Sequence, residues 1–371
     1  MKAHIIYANF LKPNGEGFNI GGIETYIKNL SHLLEKLGFE IIIYQRGDFF
    51  FEKQYGTYKV VGVPKVHSLT FKYEIFAECE KRCNKKTDIV IFASDEFIIE
   101  KREFNTIGIQ HGISWDIPVS NILSKYKYLY LFLKKMFFSW RRISRANKVK
   151  TLVCVDYNYV NWYRALTAYP KTQLKVIPNF TNIPMVYRTH KSNDSVINII
   201  FARRFQPYRG TRLFAGAIER LLKEYDNLNV VFAGEGPDEI FLNEKFANYT
   251  QVKFTKYDSQ DSLKIHSNMD IAVVPTIGSE GTSLSLLEAM ASSCAVIATN
   301  IGGLTDILIN GYNGMLIEPS EDALYEAIKE LIDNASLRKE LSKKGYDTVS
   351  SAFSLSRWEN DWIKIINDLK R

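Results

Sequence analysis

Glu280 and Glu288 stand eight residues apart in the stretch SEGTSLSLLEAMA. Glu280 follows a strand-like run, Asp270 to Pro275, so it falls on a loop at the carboxyl end of a strand. A helix is predicted to open near Thr282 or Ser283, which places Glu288 in its second turn. The two carboxylates accept hydrogen bonds from hydroxyls, Gly281 lets backbone approach closely, and the amides at the helix start take an anion. Together they could grip a sugar diphosphate. An amphipathic helix carrying two surface acids is the other reading of the same residues.

Three further groups could work with that pair. In ARRFQPYRG, Arg204 and Arg209 lie near the end of a predicted strand, where a planar guanidinium makes two charge-assisted bonds to a phosphate. In AGEGPDE, Gly234 and Gly236 permit close backbone approach, plausible beside a base; an ordinary turn is the alternative. Gly21 and Gly22 precede a helix whose first amides face an anion. His111, in IGIQHGISWD, ends a strand on a glycine loop and is a candidate hydrogen-bond donor or acid-base group, or a structural histidine.

These residues need a scaffold of alternating strands and helices. A strand at 3–8, a glycine-containing loop, a helix over Glu24 to Leu37, Gly38 as its stop and a strand over Glu40 to Tyr44 make a βαβ unit. Apolar runs at 88–93, 106–110 and 151–155 continue it. The second half repeats the order, with strands at 196–202, 229–233, 271–275 and 295–298 and a helix at 211–225. Two such alternations predict two parallel-sheet α/β domains, residues 1–183 and 184–354, joined within Pro178 to Asp194. The last helix, about Leu355 to Leu369, has an apolar stripe of Trp358, Trp362, Ile365 and Ile366 that is expected to cross back onto the first domain.

The 371 residues exceed one typical core, and 46% hydrophobic content suffices for two. No run is long and apolar enough to span a bilayer, and the apolar part of MKAHIIYANFLKPNG is too short for a signal peptide, so a cytoplasmic protein is expected. Cys79, Cys83, Cys154 and Cys294 form no CxxC units and read as reduced thiols; Asn179-Phe180-Thr181 is then a coincidental sequon. No GxGxxG fingerprint opens the first βαβ turn, no GxxxxGK[ST] occurs, and no Asp-x-Asp pair or His/Asp cluster calls for a metal or other cofactor.

The order of these motifs resembles the retaining GT-B glycosyltransferases of family 4, most strongly from Asn198 to Leu324. The resemblance rests on Glu280 and Glu288, on Arg204 and Arg209 (arginine where the family commonly has lysine), on Gly234, Gly236 and Pro237, and on ATNIGGLTDILINGYNGMLIEP. It implies two Rossmann-like domains facing each other across a cleft, the first binding an acceptor and the second a UDP- or GDP-sugar. It further implies that Glu280 holds the donor sugar's hydroxyls and Glu288 the ribose. Arg204, Arg209 and the amides of Gly22, Gly281, Thr282, Ser283 and Leu284 would neutralise the departing diphosphate, with His111 near the sugar. Ala295 and Asp306 depart from the family's usual proline and glutamate. Same-face attack by an acceptor hydroxyl is the stereochemistry implied.

The net charge of +7 hides one segment. Between Asp116 and Asp156 there is no acid, while Lys125, Lys127, Lys134, Lys135, Arg141, Arg142, Arg145, Lys148 and Lys150 are basic, leaving 39 basic against 41 acidic residues elsewhere. Tyr126, Tyr128, Tyr130, Phe132, Phe137, Phe138 and Trp140 interleave with them. Such a segment suits the inner face of a membrane, at roughly 1 kcal/mol per cation near an anionic leaflet. A helix pair with a buried aromatic face is the alternative, and no recognition motif points to nucleic acid. The sequence thus predicts a membrane-associated transferase of bacterial surface polysaccharide synthesis acting on a glycan or lipid-linked glycan. An epimerase, a phosphorylase or a silent binding protein of the same fold are the rivals.

Overall fold

A computed structural model describes residues 1–19, 21–64, 70–113, 115–116, 127–188, 196–278 and 280–370. Lys125, Tyr126 and residues 189–194 of the expected join lie outside them, as do the side chains of Lys127 and Lys370. The chain divides into two compact units: Met1–His111 with Leu123–Ile177 and Trp362–Arg371, and Gly112–Ile122 with Pro178–Asp361.

The first unit contains strands β1 (Lys2–Ile6), β2 (Glu40–Gly47), β3 (Phe51–Tyr55), β4 (Tyr58–Pro64), β5 (Ile89–Phe92), β6 (Asn105–Gln110), β7 (Thr151–Cys154) and β8 (Gln173–Val176). Helices α1 (Gly22–Lys36), α2 (Phe71–Glu80), α3 (Lys127–Ala146) and α4 (Tyr157–Leu166) connect them. The sheet order is β3-β4-β2-β1-β5-β6-β7-β8, parallel except for the β3–β4 hairpin at one edge. Runs such as IVIF in β5 are buried throughout because a parallel sheet is covered on both faces.

The second unit contains β9 (Ile197–Ala202), β10 (Leu228–Ala233), β11 (Val252–Thr255), β12 (Ile271–Val274), β13 (Ala295–Thr299) and β14 (Met315–Ile317). Its helices are α5 (Thr211–Leu221), α6 (Glu239–Lys245), α7 (Ser262–His266), α8 (Leu284–Ala291), α9 (Glu321–Asp333), α10 (Ala335–Ala352) and α11 (Leu355–Lys370), the last ending in the first unit. Strands pair in the parallel order β11-β10-β9-β12-β13-β14. Side chains alternate across β9: Ile197, Ile199 and Phe201 pack with Phe214, Ile218 and Ile328 of α5 and α9. Ile200 and Ala202 pack on the other face with Leu287, Met290 and Val349 of α8 and α10. The order reverses between β9 and β12, so the loops after those strands diverge and leave a crevice at their carboxyl ends.

The expected stripe of the final helix is buried, with Trp358, Trp362, Ile365 and Ile366 at 2%, 0%, 4% and 0% exposure. Within the second unit Trp358 packs on Phe180 at 4.7 Å between ring centroids. Within the first, the Trp362 indole N–H donates to the Tyr26 hydroxyl at 2.9 Å. Helix α3 is the exception to good burial. Ser139, Ile143 and Ala146 face inward, whereas Phe132, Phe137 and Trp140 are 59%, 55% and 58% exposed. A buried aromatic face, one of the two expectations, is therefore not what forms. Among the described residues no helix is long and apolar enough to cross a membrane.

Candidate functional site

The loops after β9 and β12 meet at the reversal of strand order, and Glu280 stands there at 7% exposure. Its Oε2 accepts from Arg203 Nη2 at 2.7 Å, Arg209 Nη1 at 2.5 Å and Thr276 Oγ1 at 2.7 Å. Arg203 Nη1 also donates to Thr276 Oγ1 at 2.6 Å. Burial opposes ionisation of Glu280, yet the two guanidiniums overcome it and hold its carboxyl at about 2. Two cations against one carboxylate leave a net charge of +1 in a nearly dry site. Arg203 itself is pushed below the usual arginine range by burial, with Glu280 opposing.

Arg203 is the residue that sequence reasoning missed. The neighbouring Arg204 is exposed and has no bond to Glu280 among the described residues. Backbone leaving a strand alternates its side chains, so Arg203 and Phe205 turn inward and Arg204 turns out. Arg209 is brought in by a short 3-10 turn, Pro207–Arg209, ended by Gly210 at φ 80. A Cβ on Gly210 would stand 1.7 Å from the Pro275 carbonyl oxygen, so only glycine lets this loop close against the end of β12.

Helix α8 begins at Leu284 after Ser283, and Glu288 falls in its second turn as its spacing required. Ser283 makes no capping bond, and its hydroxyl is buried without a partner among the described residues. The amides opening this helix thus lack the usual side-chain acceptor and are oriented for an anion. Asn179 donates to the Thr282 carbonyl at 2.8 Å and fixes the turn; the sequon asparagine is thereby a structural contact. Gly303 N donates to the Glu280 carbonyl at 3.0 Å, and a Cβ on Gly303 would lie 2.4 Å from Gly281 C. The glycine pair after β13 is therefore the floor on which Glu280 and Gly281 rest.

Glu288 meets a different field. Burial raises its carboxyl to about 7, with the Ser262 hydroxyl opposing. It also helps raise the phenol of Tyr257, after burial. Tyr257 lines a hollow of about 310 Å³ with Gly234, Glu235, Lys256 and Asp258. Gly234 and Gly236 have φ 147 and 153, and Cβ atoms there would come within 2.2 and 2.5 Å of the Arg203 and Phe205 carbonyl oxygens. These glycines serve first to let the loops after β9 and β10 touch.

In the first unit, His111 Nε2 lies 2.9 Å from the Ala93 carbonyl. A carbonyl only accepts, so Nε2 carries the proton and Nδ1 is a lone pair, available to accept from a hydroxyl. Burial lowers the imidazole to about 4, keeping it neutral at pH 7. This corrects the expectation of a donor or acid, since the ring's one N–H is already committed. The Tyr26 ring packs perpendicular to the imidazole, with 5.1 Å between centroids. The other first-unit candidate, Gly22, opens α1, but the Glu24 carboxylate curls over that end. Tyr7 donates to its Oε1 at 3.0 Å, and its Oε2 would lie 2.3 Å from a Cβ on Gly21. That carboxylate already meets the positive end of the helix. A grouping of His4, Cys83 and Asp88 has metal-ligand spacing, but His4 is occupied by Tyr44 at 2.9 Å and Asp88 at 3.4 Å.

Two doubly wound parallel-sheet units, the second with cationic loops and an uncapped helix at its switch point, are the GT-B architecture. Residues 187–348, which lie within the second unit, match the family model of glycosyl transferases group 1. An uncharacterized glycosyltransferase of Methanocaldococcus jannaschii is 28% identical over 353 residues, 92% of each chain. The capsular polysaccharide biosynthesis glycosyltransferase CapM of Staphylococcus aureus is 35% identical over 118 residues, 32% of this chain and 30% of that one. Anabaena HepE in complex with UDP has a similar fold, with TM-score 0.73 and 13% identity over 99% of this chain and 100% of that one.

Proposed function

We propose that the chain transfers a sugar from a nucleoside diphosphate donor, a UDP- or GDP-sugar, to a glycan or lipid-linked glycan with retention of configuration. The observation that carries this reading is the buried Arg203–Glu280–Arg209 cluster beside the uncapped start of α8. Cleaving the bond between the sugar's anomeric carbon and the phosphate oxygen builds negative charge on the diphosphate. A preorganised net positive site stabilises that charge without reorganising at the moment of reaction. Arg209, fixed in place by Glu280, presents its remaining N–H groups to the diphosphate, and Arg203 holds Glu280 ionised to accept from a donor hydroxyl. Arg204, at the exposed mouth of the same loop, meets the donor's phosphates from solvent. Glu288 accepts from the ribose, with the base in the hollow beside Tyr257. His111 accepts a sugar hydroxyl through Nδ1. The acceptor hydroxyl attacks the same face that the diphosphate leaves, its oxygen bonding to the anomeric carbon while its proton passes to the departing phosphate.

In this reading residues 184–354 bind donor and residues 1–183 bind acceptor. The segment 125–150 lies on the inner face of the cell membrane, and the product belongs to a bacterial surface polysaccharide. The likeness to CapM supports the polysaccharide class, the UDP bound by HepE supports the donor class, and the exposed aromatics of α3 support the membrane contact. A thermal-shift series against UDP, GDP, ADP and their sugars tests the donor, since a ligand at 100 times its dissociation constant adds about 2.7 kcal/mol of stability. Stabilisation by one nucleotide, followed by its release from the sugar-bearing form on adding acceptor, is expected. No shift with any of them would overturn the reading.

A further inference from the structure

Cations at and just beyond the end of α3 converge with Lys72 on a second hollow, wholly inside the first unit. It holds about 300 Å³ and is lined by Lys72, Tyr73, Trp140, Arg141, Arg145 and Lys148. Lys72 enters from the first turn of α2, and the others from the last turns of α3 and the residue pair beyond it. Cations near the carboxyl end of a helix suit its dipole, which accounts for Arg141, Arg145 and Lys148. Lys72 has no such reason, because it sits at the positive end of α2 beside three more positive charges. Its ammonium is half-buried, donates to the Ile98 carbonyl at 3.2 Å and stands 5.2 Å from the Tyr73 ring centroid. Burial lowers its pKa to about 8, and Arg145, Lys148 and Arg141 push the same way.

Among the described residues no carboxylate is ion-paired with Lys72, Arg141, Arg145 or Lys148, although Asp95 and Glu96 act on Arg145 from beyond bonding distance. Arg142 takes both nearby acids, Asp95 at 3.3 Å and Glu96 at 2.5 Å. Glu74, the acid in the first turn of α2, accepts from Thr70 Oγ1 at 2.7 Å. The stretch between Asp116 and Asp156 contributes none. Like charges gathered around a concavity without counter-charge raise the local anion concentration and are relieved when an anion enters. The rim is aromatic: Tyr73 and Trp140 are 55% and 58% exposed. At helical spacing Trp140 continues into Phe137, Leu133 and Tyr130, a strip that also faces solvent. Tryptophan and tyrosine belong at the boundary of water and lipid, which favours a lipid over a dissolved ion as the anion's source.

We propose that this hollow binds the phosphate headgroup of an anionic phospholipid while the aromatic strip of α3 lies in the bilayer interface beside it. The proposal rests on reading segment 125–150 as a membrane contact and adds a specific headgroup site to it.

The test uses the full chain and sedimentation with vesicles of phosphatidylcholine, with and without phosphatidylglycerol. An Arg145→Gln/Lys148→Gln variant is compared with Lys86→Gln/Lys171→Gln, which removes the same charge elsewhere, and with Leu133→Ser/Phe137→Ser on the strip. Arg141→Gln, at an exposed position, serves if the double variant fails to melt cooperatively. The hollow variant is expected to lose about 30-fold in binding to the phosphatidylglycerol vesicles, from roughly 1 kcal/mol per cation. The charge-matched control should lose far less, and the strip variant should lose binding to both vesicle types. Equal losses in the hollow and control variants would overturn the headgroup site while leaving the membrane contact standing. Absence of binding by the unaltered protein would overturn both. If inorganic phosphate displaced the protein from vesicles and raised its melting temperature through these same residues, the site would be one for free phosphate and the lipid assignment would be wrong. Nucleotide binding is read separately, so the donor reading stands or falls on its own.

Discussion

Arginines do opposite work in the two units. In the second, Arg203 and Arg209 are drawn onto one carboxylate oxygen and held at 2.7 and 2.5 Å, Arg203 buried and Arg209 partly so. In the first, Arg141, Arg145 and Lys148 ring a solvent-facing hollow with no acid ion-paired to them among the described residues. The buried pair has its geometry fixed before any ligand arrives, at the expense of desolvated charge. The open set keeps partial contact with water and gains when an anion is brought to it. On the proposed reading, burial with a partner marks a site that acts on a charge that develops, and exposure without one marks a surface that meets an anion.

The largest break in that contrast is Arg203→Ala. Removing one partner of a buried ion pair costs about 3 to 5 kcal/mol, so chemical denaturation should show the second unit strongly destabilised. Arg141→Ala, by the same measurement, should stay within about 0.5 kcal/mol. Next comes Arg209→Ala, where Glu280 keeps Arg203 and Thr276 and the fold survives. Transfer should fall about 100- to 1,000-fold in kcat, as when an anion-stabilising donor is removed elsewhere. A fall confined to KM would show that Arg209 binds the ground state and not the departing charge.

Glu288 sharpens the contrast through pH. Its carboxyl is raised to about 7, so between its ordinary value and 7 the folded chain binds more protons than the unfolded one, and ligand-free stability falls as pH rises through that window. Nucleotide affinity should move the other way, because a ribose is held by the ionised form. Titration calorimetry from pH 6 to 8 should show tighter binding with rising pH, flattened in Glu288→Gln. The smallest effect belongs to the surface: Leu133→Ser/Phe137→Ser should change stability by no more than about 0.5 kcal/mol, read by thermal melting, while vesicle binding is lost.

Much of the second unit was legible because its signals are local. Uninterrupted apolar strands, glycines at strand ends and the spacing of Glu280 and Glu288 each fix a position within a few residues, and α8 starts one or two residues past its expected place. What escaped depends on contacts far apart in sequence. Arg203 and Arg204 are chemically identical, and only the pleat at the end of β9 decides which one turns inward. Gly302 and Gly303 look like a turn until the loop after β12 is seen lying on them. His111 reads as a donor, an acid-base group or a structural histidine because nothing in its segment reveals that its N–H donates to the Ala93 carbonyl, in a neighbouring strand-end loop. In α3 the aromatic residues are spread around the helix, so periodicity did not say which would stay in water.

The central claim is that the Arg203–Glu280–Arg209 cluster receives a sugar diphosphate. Calorimetric titration of the nucleotide identified by thermal shift into the unaltered chain and into Arg209→Ala tests it most directly, with matched melting curves as the control for folding. The account predicts saturable binding in the first and a loss of at least about tenfold in the second, the lower range for a charge-assisted bond. Equal affinity in two well-folded proteins would contradict it.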